Sequence, residues 1–192
     1  MLAATLAPTE TAAAGTPEEV IAEVGRICAS DLAPKARAID EGEYPGDVLR
    51  KFGAAGAFGL HVPPAGKLTD AIEAMAVMAE TCGSTGFMAW CQDTLAWYLI
   101  NTDNVALRDK MLPKVAAGEI LGGTGLSNPM KSFYGIESLK LRGKRVEGGY
   151  QVKGMLPWVS NLGPDHYFGA IFSLEGRDGE PVMALIDCVV SC

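Results

Sequence analysis

The sequence predicts an α+β protein in which an N-terminal all-helical domain is followed by an antiparallel β-barrel-like domain. Three observations predict it. Apolar residues recur at helical spacing from Pro17 to about Ala117, whereas beyond Ser138 they alternate with polar ones in short runs bounded by glycine. The change of period falls at the glycine-rich run Gly122 to Pro129. The division implied is a flexible tail over residues 1–15, a helical domain over 16–119 and a β-domain over 120–192. Because the chain stops at Cys192 directly after a strand, the sheet is expected to be incomplete, either as a fragment or until a partner completes it.

Each element has its own signal. Thr16-Pro17-Glu18-Glu19 is a capping box with proline in the first turn, and it starts a helix expected to run to about Ala38. Val20, Ile21, Val24, Ile27, Cys28 and Leu32 form its buried stripe, and Pro34 should bend it near the end. After a polar loop over Asp40 to Pro45, a second helix over about Gly46 to Ala55 turns Val48, Leu49 and Phe52 inward. Gly53, Gly56 and Gly59 suit close packing or a C-terminal cap, and His61 to Pro64 reads as extended. A third helix, Thr69 to Thr81, presents Ile72, Met75, Ala76 and Ala79, with Gly83 closing it. The fourth, Ser84 to about Ile100, is apolar on most sides, which predicts a buried central helix. A fifth, about Asp103 to Ala117, carries Leu107, Met111, Leu112 and Val115, with a bend at Pro113 and a stop at Gly118. In the β part, Glu147 to Tyr150 is a hairpin turn, and Tyr167 to Leu174 and Pro181 to Asp187 are strands joined by a polar turn.

Composition excludes several functions. With 48% hydrophobic residues and 20% charged, the chain can offset its ordering entropy by burial. A net charge of -7 with scattered basic residues argues against nucleic acid, and any anionic ligand must be held by a local arrangement. The five cysteines are odd in number and contain no Cys-x-x-Cys, so neither a disulfide framework nor a zinc site is indicated. A reducing, cytoplasmic setting is the simpler expectation. Met1 to Gly15 lacks the pattern of a secretory leader, and no run is long and apolar enough to span a bilayer.

The residues that point to chemistry lie between Gly122 and Asn161, which reads as a cofactor-binding face. Glycines in a strand mark places where a ligand or another backbone comes close; backbone amides around Leu126 and the Ser127 hydroxyl suit the polar edge of a ring. Trp158 and Ser160, read as alternate residues of a strand, would put an indole and a hydroxyl on one side, to stack on a flat heterocycle and donate to it. A tryptophan in a strand is more often simply core, and the glycine run is equally compatible with an interdomain connector. His61 and His166 have no partner at metal-ligand spacing. Cys91 reads as a buried hydrophobe, Ser84-Thr85 as capping, and Gln92-Asp93-Thr94 as lining a channel or facing solvent.

The order of helices, Leu126-Ser127-Asn128-Pro129, the hairpin and Trp158-Val159-Ser160-Asn161 together resemble the flavin-dependent acyl-CoA dehydrogenases from Pro17 onward. That resemblance implies FAD between a helical N-terminal domain, a β-domain and a C-terminal four-helix domain absent from this chain. It implies an acyl-thioester substrate, α,β-desaturation with hydride passing to the flavin, an electron-transfer acceptor, and a homo- or hetero-oligomer. By position, Leu126 and Ser127 match residues at the flavin pyrimidine edge, and Trp158 and Ser160 match those on the ring and near N5. The family's Thr-Glu-Pro and Gly-Ser-Asp turn is here Ser-Asn-Pro followed by Met130 to Gly135; Ser132, shifted one place, stands in for its serine, and Leu156 replaces the lysine before the tryptophan. The family's catalytic glutamate comes from the C-terminal domain, so no catalytic residue is expected within these residues. A flavin monooxygenase of the same fold, and a non-catalytic subunit that has lost flavin and base, remain alternatives.

Overall fold

The computed structural model describes residues 15–188, without the side chains of 178 and 179. The expected flexible tail falls, but for its last residue, outside the described residues, as do Val189 to Cys192. Two compact units divide the chain, Met1–Ile120 and Leu121–Cys192.

The first unit is helical. Thr16 caps α1 (Pro17–Ile27): its Oγ1 accepts from the Glu19 amide at 3.3 Å, and its own amide donates to Glu19 Oε2 at 2.7 Å. The path continues through a π-helical turn (Cys28–Leu32) and a 3-10 turn containing Pro34 (Ala33–Lys35) into α2 (Ala36–Asp40). Proline supplies no amide hydrogen and crowds the preceding turn, so the helix changes its winding there instead of breaking. Val20, Val24, Ile27, Cys28 and Leu32 are buried, while Ile21 is only half-buried. In α3 (Gly46–Ala54) Val48, Leu49 and Phe52 are fully buried. Gly53 touches the stop of a later helix: a Cβ there would lie 2.4 Å from the Gly118 Cα, and Gly118 itself has φ +68. His61 to Pro64 lies in turns, with a cis Pro63–Pro64 bond, and is not extended.

Helices α4 (Leu68–Thr81) and α5 (Gly83–Ile100) correct two expectations about faces. The buried residues of α4 are Ala71, Ala74 and Met78, and Ile72 is exposed. In α5, Phe87, Trp90 and Trp97 are exposed while Thr85, Gln92 and Asp93 are buried. Close approach explains the choice. A Cβ on Gly86 would lie 2.6 Å from the Ala79 Cβ, so the two helices meet through their small residues and the bulky aromatic side is turned away. Gly83 begins α5 and does not close α4, and Ser84 does not cap: its hydroxyl donates to Asp40 at 2.9 Å. Helix α6 (Val105–Ala116) is capped by Asn104, whose side chain accepts from the Leu107 amide at 3.0 Å, and buries Met111 and Val115. Gln92, expected in a channel or in solvent, is fully buried and donates to the carbonyls of Val115 at 3.0 Å and Ile120 at 2.8 Å, tying the end of α6 to α5.

The second unit is a mixed sheet with one short helix. Strand β1 (Gly122–Thr124) leads into α7 (Ser127–Phe133), where the sequence suggested a continuous glycine-rich strand and then a turn. Strands β2 (Arg142–Val146) and β3 (Gly149–Lys153) form the expected hairpin. Strand β4 (Tyr167–Leu174) pairs antiparallel with β5 (Arg177–Asp187), and its other edge receives β1 and then β2, both parallel. The α+β architecture, helices first and sheet second, is therefore present; the sheet is mixed and, among the described residues, not closed. Leu141, Ala170, Phe172 and Leu174 form its core, with Val152, Leu156, Phe168, Val182, Ala184 and Ile186 packed around it.

Candidate functional site

Residues 154–166 contain no strand, so the alternation expected to put Trp158 and Ser160 side by side does not operate. Pro157 and Pro164 cannot donate to a ladder, and Asn161 and Asp165 have φ of 60 and 61, which turns the chain out of extended geometry. The loop is nevertheless held. Buried Asn161 donates from Nδ2 to the Gly122 carbonyl at 2.7 Å, and its own carbonyl lies 3.0 Å from Nδ1 of buried His166. The Tyr167 amide, next along the chain, donates to the Leu121 carbonyl at 3.1 Å. Asn161 closes the Trp-Val-Ser-Asn motif, but its anchoring role was not visible from sequence, because its partner is a backbone carbonyl 39 residues away.

This loop faces α7 across an open recess of about 200 Å³ lined by Ser127, Asn128, Lys131, Glu137, Leu156, Pro157 and Trp158. The room within it that a water-sized sphere can occupy is about 10 Å³, far below the roughly 300–1,000 Å³ of an enclosing ligand pocket, so the recess offers a surface for the edge of a flat molecule and encloses none. Trp158 is 73% exposed, so its indole is presented to solvent and is not sealed in the core. Ser127 is exposed at the start of α7, and Lys131 follows one helical turn later on the same face. Leu126 is half-buried, and its amide donates to Thr124 Oγ1 at 3.3 Å, a local turn that uses the group expected to meet a ring. Ser132 and Ser160 are half-buried and do not line the recess. The structure thus brings Ser127 and Trp158 together, leaves Leu126 beside them, and sets Ser132 and Ser160 apart.

Asn128 builds the wall behind the recess. Its Nδ2 donates to Glu137 Oε1 at 3.1 Å and to the Ser138 carbonyl at 2.9 Å, and its Oδ1 accepts from the Lys140 amide at 2.9 Å. The hydrogen bond from Asn128 holds the Glu137 carboxyl below its usual pKa, and Lys140 and Lys131 add to that. Leu156 seats the loop: a Cβ on Gly125 would lie 3.0 Å from Leu156 Cδ1 and 3.1 Å from the Gly169 carbonyl oxygen, so that glycine admits a neighbouring backbone.

In the helical unit, His61 and Asp93 form a second polar centre. His61 is 4% and Asp93 8% exposed, with Nδ1 and Oδ1 3.7 Å apart, too far for a direct hydrogen bond. Neither side chain has another partner for these atoms among the described residues. Burial lowers the His61 pKa and raises that of Asp93 well above its ordinary value. Burial likewise pushes the Cys91 thiol up to about 12, which suits an inert core residue. Cys28, Cys82 and Cys188 are free thiols, and no described helix is long and apolar enough to cross a membrane.

Comparison with known proteins bears on the whole arrangement. Residues 16–119 match the family described as acyl-CoA dehydrogenase, N-terminal domain. Mitochondrial isovaleryl-CoA dehydrogenase of Pongo abelii is 29% identical over 151 residues, covering 74% of this chain and 35% of that protein. Butyryl-CoA dehydrogenase from Megasphaera elsdenii superposes with a TM-score of 0.78 at 14% identity, over 94% of this chain and 50% of that one. A glutaryl-CoA dehydrogenase from Mycobacterium smegmatis, solved in complex with FADH2, gives 0.72 at 17% identity, over 89% and 45%. The chain therefore spans about a third of the curated relative and about half of the solved structures. Helical order, mixed sheet and the match across residues 16–119 together make this chain a member of the acyl-CoA dehydrogenase family.

Proposed function

We propose that the chain is part of a flavin-dependent oxidoreductase that introduces a 2,3 double bond into an acyl-CoA thioester. The observation that carries this reading is the recess in which an exposed indole, Trp158, stands opposite the Ser127 hydroxyl. A large apolar ring left 73% exposed beside polar donors suits a flat, partly polar heterocycle better than it suits a core position. Two of these residues fit FAD: Trp158 would stack on the ring system, and Ser127 would donate to its polar edge; Leu126, Ser132 and Ser160, outside the recess lining, are further contacts only by position in the sequence. Bound FAD supplies the two-electron acceptor that takes hydride from the β-carbon. The protein's part is to orient the ring, cover one face of it, and present donors where negative charge develops.

Removal of the α-proton is assigned to a base outside this chain. Among the described residues the recess carries one carboxylate, Glu137, and the hydrogen bond from Asn128, with Lys140 and Lys131 nearby, lowers its pKa, which makes it a weaker base. An oligomer and an electron-transfer acceptor complete the reading.

Adding FAD to the purified chain and removing unbound cofactor tests the first half. A visible flavin band should remain with the protein, and its fluorescence should be quenched by Trp158. The chain produced with the sequence encoded downstream should then lose that band anaerobically on addition of isovaleryl-, butyryl- or glutaryl-CoA, the thioesters for which the relatives are named. Protein that stays colourless with excess FAD sinks the flavin reading and favours the non-catalytic subunit; reoxidation that inserts oxygen into a product, with no acyl-CoA bleaching, favours the monooxygenase.

A further inference from the structure

The chain carries -7, yet around the recess beside Trp158 two ammonium groups, Lys131 and Lys140, face one carboxylate, Glu137. Glu137 is already engaged: Oε1 accepts from Asn128 at 3.1 Å, and Oε2 lies 3.4 Å from Lys140 Nζ. Lys131 Nζ is 3.9 Å from Oε1, the longest of these contacts, and the Lys131 side chain is 49% exposed. Of the two lysines, only Lys131 lines the recess, on the same face of α7 as Ser127. An indole for stacking, a hydroxyl, and an ammonium whose carboxylate neighbour is shared with a second lysine make a site for an aromatic ring that carries negative charge on one edge.

We infer that Lys131 is a positioning residue for the charge state of the bound ring: its ammonium stabilises the flavin with negative charge on the pyrimidine edge, and so favours reduction. This rests on the flavin reading above and adds a residue to it. The family's small Gly-Ser-Asp turn offers no side-chain cation at this place, whereas Met130-Lys131-Ser132 lies on a helix that presents one. A cation close to a flavin edge tunes its electronics without touching the reacting carbon. Because Lys131 is half-exposed, solvent screens it, and the expected effect is about fivefold in an equilibrium that creates the anionic ring.

Sulfite provides such an equilibrium. Its sulfur lone pair forms a bond to flavin N5, and the electron pair displaced into the ring leaves negative charge at the pyrimidine edge; no other reagent is consumed. The FAD-loaded chain, with Lys131→Met, Lys131→Arg and Lys140→Met variants checked for folding by circular dichroism, is titrated with sulfite. Binding of oxidised FAD and of riboflavin, which has no phosphate, is followed by fluorescence quenching. Lys131→Met should weaken sulfite binding about fivefold. Lys131→Arg should restore it, Lys140→Met should leave it unchanged, and the oxidised flavins should bind all four proteins alike. Equal sulfite affinity in wild type and Lys131→Met overturns the inference, and so does an equal loss in Lys140→Met. Weaker FAD binding with riboflavin binding retained places Lys131 on a phosphate and overturns it too. A chain that binds neither flavin overturns the flavin reading itself, and this inference with it, before sulfite is added.

Discussion

Asp93→Asn isolates the cost of burying an ionisable carboxyl beside His61. In the unfolded chain Asp93 titrates near its ordinary 3.8 and His61 near 6.5. In the folded unit Asp93 is raised and His61 lowered, both by burial. The raised Asp93 contributes stability that is present below 3.8 and lost as pH rises toward its folded value. The lowered His61 acts in the opposite sense, losing stability as pH falls from 6.5 toward its folded value. Between 3.8 and 6.5 the two slopes oppose each other. Above 6.5 the His61 contribution no longer varies, and stability declines by at most about 1.4 kcal/mol per pH unit while the folded Asp93 stays protonated. Urea unfolding followed by far-UV circular dichroism from about pH 5 to about pH 9 measures it. Because Asp93→Asn removes only the Asp93 slope, its advantage over wild type should grow with pH throughout this range, by at most about 1.4 kcal/mol per pH unit until the folded Asp93 ionises. Parallel curves for the two proteins across that range would refute the argument.

Three further outcomes follow from the packing. Gly53→Ala should destabilise the helical unit by about 1–3 kcal/mol in the same assay, since the added methyl would stand 2.4 Å from the Gly118 Cα, which is backbone and cannot move aside cheaply. Asn128→Ala removes three hydrogen bonds and leaves the Lys140 amide and Ser138 carbonyl without them; unfolding of the sheet unit, read by proteolysis, should become easier by about 1–3 kcal/mol. Trp158→Leu, at an exposed position, should change stability by less than about 0.5 kcal/mol, while FAD added to the variant should keep most of its fluorescence. A large loss of stability there would place the indole in the core.

Local signals were legible wherever the cause was local. The Thr16–Glu19 box spans four residues, Tyr167 to Leu174 forms the strand its alternation predicts, and Val48, Leu49 and Phe52 point inward as their spacing requires. The errors share a different cause. Ile72 and the α5 aromatics were assigned inward because they are large and apolar, yet Gly86 meeting Ala79 decides which side of α5 packs. In the site, Trp158 was found and its geometry was not. Strand alternation was the wrong premise, and the loop that holds it depends on Asn161 reaching Gly122. Lys131 passed unnoticed because it has no meaning until α7 places it one turn from Ser127.

By itself the sequence determined where helices give way to strands, how the first helix is capped, and which motif residues to examine, because periodicity, capping and turn chemistry act over a few neighbouring residues. Only the tertiary structure decided which helix faces pair, that His61 and Asp93 are buried together, and that Ser127, Lys131 and Trp158 line one recess. Those facts bring together residues of different elements, and such meetings are selected by the packing of whole elements, to which a local pattern is blind.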